Sequence, residues 1–232
     1  NNYSRMTPEF GFPPEQDDHI MVLRVLFMTG WLIDEFLASN SFFGAKTLVI
    51  SSASSKTSIG LAHCAAARSK DARPKIVGLT SPANVKFVED LGYYDAVVTY
   101  DNTASIDNKP AVFVDMAGNA NVITAVHNHF GDNLKHSCMV GITHWQNGGR
   151  PEGLPGPAPQ MFFAPDQIQR LSKELGPAGM QQKMGEAWNG FLKKIGNAIT
   201  IEHGEGKDAV RKIYLDTLNG KADPKKGYIL AL

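Results

Sequence analysis

Between Leu48 and Ala62 the sequence reads LVISSASSKTSIGLA, and five of the eight residues from Ser51 to Ser58 are serine, with Lys56 and Thr57 among them. An apolar run enters this stretch and a run of helix-forming residues leaves it, so it reads as a strand, a short loop and a helix start. A loop of that composition offers closely spaced backbone N–H groups, hydroxyls and one ammonium to an anion, which is the outline of a phosphate cradle. The same serines also suit a simpler role, capping the helix that follows. These residues alone support both readings equally.

Other chemistries fail on spacing. A triphosphatase loop needs GxxxxGK[ST], but Ile50 and Ser55 stand where its glycines belong before Lys56 and Thr57. No tyrosine is followed four residues later by lysine, which disfavours the short-chain dehydrogenase pair, and no GxSxG elbow supports a hydrolase. His127, His129 and His136 are the nearest approach to a zinc cluster, and their placement on one helix and the next strand favours core or solvated histidines, so no metal site is expected. His144 and Trp145 follow an apolar strand, MVGI, where a histidine could hand a proton to a carbonyl oxygen; pinning the next loop is the alternative role.

The elements that hold these residues alternate. KTLVIS, KIVGLT, AVVTY, AVFVDMA and HSCMVGI are apolar strands, and Thr57 to Ser69, Pro82 to Leu91 and Asn119 to Phe130 are the helices between them. Strands that are apolar throughout are buried on both faces, which predicts an α/β fold with a doubly wound parallel sheet, Rossmann-like, followed by a C-terminal extension of helices and strands. Ligands of such sheets bind beyond the carboxyl ends of the strands, and there the chain places Ser51 to Ser58, Thr80 and Ser81, Tyr100, Ala117 and Gly118, and Thr143 and His144. Small and hydroxyl residues at consecutive strand ends suit a flat ligand such as a dinucleotide.

Upstream, residues 1–18 read as an irregular leading segment. HIMVLRVLFMTGWLIDEFLASNSFFG is one or two helices, with a break expected near Gly30, and its stripe of Leu23, Leu26, Phe27, Trp31, Leu32, Phe36 and Leu37 reads as core. Downstream of Ile142 lies a long glycine- and proline-rich loop, then a helix N-capped by Asp166 and running to Leu175, another from Met180 to Ile195, a strand from Ala198, a helix from Gly206 to Leu218 and a closing strand, GYILAL. The organisation expected is a leading segment and helix (1–44), a Rossmann-like dinucleotide-binding domain (45–145) and a C-terminal stretch of loop, helices and strands (146–232).

Composition narrows the partners. The 232 residues are 43% hydrophobic and 20% charged, with 23 basic and 23 acidic side chains, so the basic footprint of a nucleic-acid binder is missing and a small-molecule substrate is favoured. No stretch reaches the ~18 apolar residues of a membrane span, and the N-terminus lacks a signal peptide's apolar centre. Cys64 and Cys138 sit in apolar company without a CxxC, which suits buried reduced thiols. The location expected is cytoplasmic, or an organelle matrix after removal of a targeting segment.

Taken in order, LVISSASSKTSIGLA, KIVGLTSPANVKFVEDLGYYDAVVTYD, VFVDMAGN, MVGITHW and the tail DAVRKIYLDTLNGKADPKKGYILAL resemble the nucleotide-binding half of the medium-chain dehydrogenase/reductase superfamily, and within it the DUF2855 family, over residues 20–232. The resemblance implies a zinc-independent oxidoreductase that moves hydride to or from a small carbonyl or activated alkene, with a nucleotide-binding or structural subunit without catalysis as the alternative. It places Ser52 and Ser54, Ser55, Lys56, Thr57 and Ser58 at the pyrophosphate, Ser81 at the adenosine ribose, Tyr100 at the adenine, and Ala117, Gly118, Gly141 and Thr143 along the nicotinamide half, with His144 as the catalytic candidate. The cofactor implied is NADP in preference to NAD, because the second strand ends in Thr80-Ser81 without an acidic residue for the ribose hydroxyl. In this chain serines replace the glycine fingerprint, and Asn84 holds a position that is lysine in quinone-reductase relatives, with Lys86 two places on. The superfamily's N-terminal barrel-like domain has no counterpart in these residues, and the pieces at Ala198 and Tyr228 resemble strands that complete it, so that 146–232 looks like the remnant of a catalytic domain. This implies either a fragment of a longer protein or a homo-oligomer or partner chain over the C-terminal strands.

Overall fold

The computed structural model of the protein describes residues 17–141 and 153–232. Its main sheet has six parallel strands: β1 (Thr47–Ile50), β2 (Lys75–Thr80), β3 (Ala96–Thr99), β4 (Ala111–Asp115), β5 (Leu134–Met139) and β6 (Gln160–Met161). Their order is β3-β2-β1-β4-β5-β6, that of a doubly wound nucleotide-binding sheet, with the reversal between β1 and β4. Five of these strands follow from their apolar runs. β6 does not, because two exposed residues at a sheet edge carry no pattern and exist as a strand only through pairing with Cys138 and Met139.

The apolar runs divide by side-chain alternation between two cores. Leu48, Ile50, Ile76, Val112, Val114 and Cys138 face one, and Val49, Val77, Leu79, Ala111 and Phe113 face the other. β1, β2 and β4 therefore bury both faces, which is why none of the three shows polar alternation. Over the first core lie α1 (Asp17–Ser39), α2 (Lys56–Ala67) and α5 (Ala164–Ile195); α4 (Ala120–Phe130) covers the second, and the short α3 (Val85–Asp90) follows β2. A separate parallel pair, β7 (Thr200–Glu205) and β8 (Lys226–Ala231), is joined by α6 (Gly206–Leu218).

α1 is continuous through Gly30, contrary to the break expected there. A β-carbon at Gly30 would stand 2.5 Å from the Leu61 amide nitrogen and 2.8 Å from the Thr57 carbonyl oxygen, and one at Gly60 would stand 3.2 Å from the Phe27 α-carbon. Two glycines thus let the backbones of α1 and α2 touch. The stripe on α1 is core as expected except at Leu26, which is 37% exposed. Asp166 lies in the first turn of α5, not at its cap, which is Phe163, and the two expected helices are one element kinked at Gly176, with Pro177 after it. Between α1 and β1 the chain makes a left-handed turn through Ser41, Phe42 and Phe43, all with φ near 50°. Nothing in those residue types announces it.

Trp188, Phe191 and Ile195 of α5 are buried, with Trp188 and Phe191 against Phe27 at ring separations of 5.4 and 4.8 Å. His63 of α2 sits edge-on to Tyr93 and Phe191, and burial, helped by the Lys194 charge, pushes its pKa from 6.5 to about 4. The unfolded chain therefore takes up a proton that the folded one refuses. Stability from this site is complete above pH 6.5 and is lost as pH falls from 6.5 toward 4, by on the order of 2 kcal/mol. Urea melts at pH 7.0 and 4.5 test this: His63→Phe should narrow the gap between the two midpoints, and an unchanged gap contradicts it.

Candidate active site

The register of the central strands starts the site. Ile50 pairs with Val114, so Ser51 and Asp115 leave the sheet side by side. The Ser51 hydroxyl donates to Asp115 Oδ1 at 2.7 Å and accepts from the Met116 amide at 2.9 Å, while Asp115 Oδ2 accepts from the Gly118 amide at 2.6 Å. Both side chains are 1% exposed. This buried network fastens the loop after β1 to the loop after β4, at the point where strand order reverses. Asp115 was not among the residues expected here, although a carboxylate closing an otherwise apolar strand was its signal.

Beyond Ser51 the chain turns sharply. Ser52 has φ of 48°, a left-handed conformation that costs a serine on the order of 1–2 kcal/mol and that glycine would adopt freely. The Ser55 amide donates to the Ser52 carbonyl at 2.7 Å. Ser55 then caps α2: its hydroxyl accepts from the Ser58 amide at 3.2 Å and lies 2.8 Å from the Ser58 hydroxyl, which itself donates back to the Ser51 carbonyl at 2.9 Å. Tyr94 holds the loop from below, its hydroxyl donating to the Ala53 carbonyl at 2.9 Å, and burial raises its pKa. Asn84 donates to the Ser54 hydroxyl at 3.1 Å. Ser55 spends its hydroxyl on the helix cap and Ser58 returns its own to the Ser51 carbonyl, while Ser52, Ser54, Lys56 and Thr57 face a cleft.

That cleft, about 830 Å³, lies at the carboxyl ends of the strands. Of the residues expected at a cofactor, it gathers Ser52, Ser54, Ser55, Lys56, Thr57, Ala117 and Gly141. Gly141 is required there by space, since a β-carbon would stand 2.7 Å from the Met116 carbonyl oxygen. Ser58 is fully buried, and Ser81, Tyr100 and Gly118 are not among the lining residues. Ser81 opens the turn at Pro82–Asn84, and the Tyr100 carbonyl accepts from the Thr103 hydroxyl. Lys86 pairs with Asp90 at 2.9 Å on the surface. Thr143 and His144 lie outside the described residues. The opposite wall comes from Val22, Leu26 and Thr29 of α1 and from the C-terminal unit, including Asp223, Pro224, Lys226 and Tyr228. No local pattern marks these as site residues.

Lys56 dominates the electrostatics. It is the first residue of α2, where the helix dipole is positive and a cation is disfavoured. Burial lowers its pKa, opposed by the charge of Asp223, and its ammonium donates only a long 3.4 Å bond to the Pro224 carbonyl. An ammonium and the N-terminus of a helix converge on one cleft, a setting that favours negative charge at the helix end. The other candidates are structural. His127 bonds the Pro155 carbonyl and Ser137, His136 stacks on Phe43 at 4.2 Å, and burial lowers the pKa of both. Cys64 and Cys138 are buried free thiols, and Cys138 is pushed up to about 12 by burial and Asp115. Among the described residues no group of three or more His, Cys, Asp or Glu could hold a metal ion, and no helix is long and apolar enough to cross a membrane.

The chain has a doubly wound, Rossmann-like α/β fold with a cleft at the carboxyl ends of its strands, and solved structures share that fold. It matches a putative NADPH:quinone reductase from Mesorhizobium loti (TM-score 0.63, 12% identity, 94% of this chain and 60% of that one). It also matches CurA from Vibrio vulnificus in complex with NADPH (0.56, 15%, 84% and 61%) and YhdH of E. coli K-12 with bound NADPH (0.55, 10%, 88% and 61%). At these identities the likeness establishes the fold, and the chain spans about three-fifths of the length of these structures. The protein belongs to the DUF2855 family, described as "Protein of unknown function", whose profile matches residues 1–223. Among curated proteins, none matches the sequence.

Proposed function

We propose that the protein is a zinc-independent, NADP(H)-binding oxidoreductase that moves hydride to or from a small carbonyl or activated alkene. The observation that carries this reading is the convergence of Lys56 and the amino end of α2 on a cleft that also contains Ala117 and Gly141, at the reversal of strand order. Its neighbours of like fold were solved with NADPH. The residues present fit such a group: Ser55 folds its hydroxyl into the helix cap, leaving the approach to the first amides of α2 clear of that group.

A bound nicotinamide supplies the hydride chemistry. Lys56 and the Lys56 and Thr57 amides would hold the pyrophosphate; Ala117 and Gly141, with no side chain larger than methyl, would leave room for the ring, and Met116 and Val140 would keep water from it. Asp115 sets the height of that floor through Ser51 and Gly118. On this reading residues 45–145 are the dinucleotide-binding domain, and a second copy or partner chain covers β7 and β8.

Titration with NADPH, NADH and ATP, followed by nicotinamide fluorescence for the first two and calorimetry for ATP, tests the reading. NADPH binding in preference to NADH is expected. Lys56→Ala should weaken NADPH ~10–100-fold, about 1–3 kcal/mol, with Ser55 left intact because it caps α2. No response to either dinucleotide rejects the proposal. Binding without hydride transfer to any enone, quinone or aldehyde supports the alternative, a nucleotide-binding subunit that has lost the chemistry.

A further inference from the structure

The two sides of the cleft differ in kind. One is the serine-rich loop with Lys56; the other is built by α1, α6 and β8 and is mostly apolar. Leu26 departs from the core stripe of α1, is 37% exposed, and lines the cleft. No residue of α6 is buried, and its Ile213 lines the same cleft, as does Leu230 of β8. Gly227 lets β8 close against α1, since a β-carbon there would stand 2.7 Å from Val22 Cγ1. Tyr228 and Leu230 flank Ile229 along the strand and so share one face of β8. That face is turned toward α6: a β-carbon at Gly204, the partner of Leu230, would stand 2.9 Å from Leu230 and 3.2 Å from Ala209 of α6.

The polar groups of this wall are nearly all engaged. The Thr29 hydroxyl donates to the Val25 carbonyl at 3.1 Å, and the Thr217 hydroxyl to the Ile213 carbonyl at 2.8 Å. Lys226 is held by Glu202 at 2.6 Å, and Asp223 accepts from the Lys225 amide at 2.9 Å. The Tyr228 hydroxyl lines the cleft without a hydrogen-bond partner among the described residues. The wall therefore offers a ligand hydrocarbon surface and one uncommitted hydroxyl, while its charges already have partners.

We propose that this wall is the substrate side of the cleft and that the substrate is an uncharged carbonyl compound with a hydrocarbon tail. Tyr228 donates to the carbonyl oxygen, and Leu26, Ile213 and Leu230 take the tail. The inference rests on the reductase reading in treating the ligand of this wall as substrate, and it adds the substrate's chemical class. A carboxylate placed here would meet Asp223 with no free cation on the same wall, whereas each methylene withdrawn from water strengthens binding.

Ligand-observed NMR titration of the full chain with straight-chain methyl ketones, from butanone to octan-2-one, tests this without and with saturating NADPH. Affinity should rise ~3–4-fold for each added methylene. Tyr228→Phe, which keeps the ring, should weaken every ketone by the same ~3–10-fold and leave that increment unchanged. Leu26→Gln, at an exposed helical position, should instead reduce the increment. Absence of binding, or affinity independent of chain length, overturns the proposal, as does a Tyr228→Phe variant that binds every ketone as tightly as the wild type. Competition between NADPH and the ketones also overturns it, because the tail would then lie on the dinucleotide's side. NADPH binding without a chain-length increment removes the substrate wall and leaves the reductase reading standing. An increment that responds to both variants in a protein that binds no dinucleotide supports the wall and rejects that reading.

Discussion

Gly30→Ala is expected to destabilise the protein by about 3 kcal/mol, at the upper end of what over-packing costs. Helix propensity alone points the other way, because alanine in a helix interior is favoured over glycine by up to ~1 kcal/mol. The sign is decided by the neighbours. The new methyl would stand 2.5 to 2.9 Å from three backbone atoms of α2, and backbone within a helix cannot rotate aside as a side chain can. α1 would have to lift from α2, loosening Phe27 from Trp188 and Phe191. Gly185→Ala in α5 is the matched control, since nothing lies within 4 Å of its β-carbon position; it should be neutral or stabilising by up to ~1 kcal/mol. Chemical denaturation of the two variants beside the wild type measures both signs. Equal effects would mean that α1 and α2 do not touch through Gly30.

The second large effect is expected at Asp34, which is 2% exposed on α1. Its carboxylate accepts from Arg68 Nε at 2.9 Å and Nη2 at 2.7 Å, and Arg68 Nη2 also reaches Glu35 at 3.0 Å. Lys183 of α5 pairs with Glu35 at 2.5 Å. The cluster joins α1, α2 and α5, the three helices that cover one face of the sheet. Asp34→Ala should cost about 3 kcal/mol, because it takes the main partner from a half-buried guanidinium and leaves it only the Glu35 contact. Removing both partners, as in Asp34→Ala/Arg68→Met, should restore much of that loss, since the unpaired charge is the penalty and not the absent bond. A double variant no more stable than Asp34→Ala would show that the pair contributes by some other route.

These two sites show where reading the chain succeeds and where it stops. The strands from β1 to β5 were legible because their apolar runs need no knowledge of partners, and β1, β2 and β4 owe those runs to burial on both faces. Ser54 to Thr57 were legible for a similar reason: a hydroxyl-rich turn between strand and helix signals itself locally. Gly30 was misread because a glycine in a helix carries the same local signal whether it breaks the helix or admits a neighbour, and only Gly60 and Leu61, some thirty residues on, decide between them. Asp115 carried a faint signal, a lone carboxylate at a strand end, whose meaning depends on Ser51 emerging beside it.

The alternation of elements, the doubly wound parallel sheet and the position of the serine-rich loop were determined by the sequence itself, because period, burial and capping act over a few residues. The closure of the cleft was decided only by tertiary structure. β7, α6 and β8 pair among themselves and carry Asp223 and Pro224 back to Lys56, more than 160 residues away, and no local propensity encodes a contact of that span. It follows from the shape of the whole packed chain, which brings the last connection over the first loop.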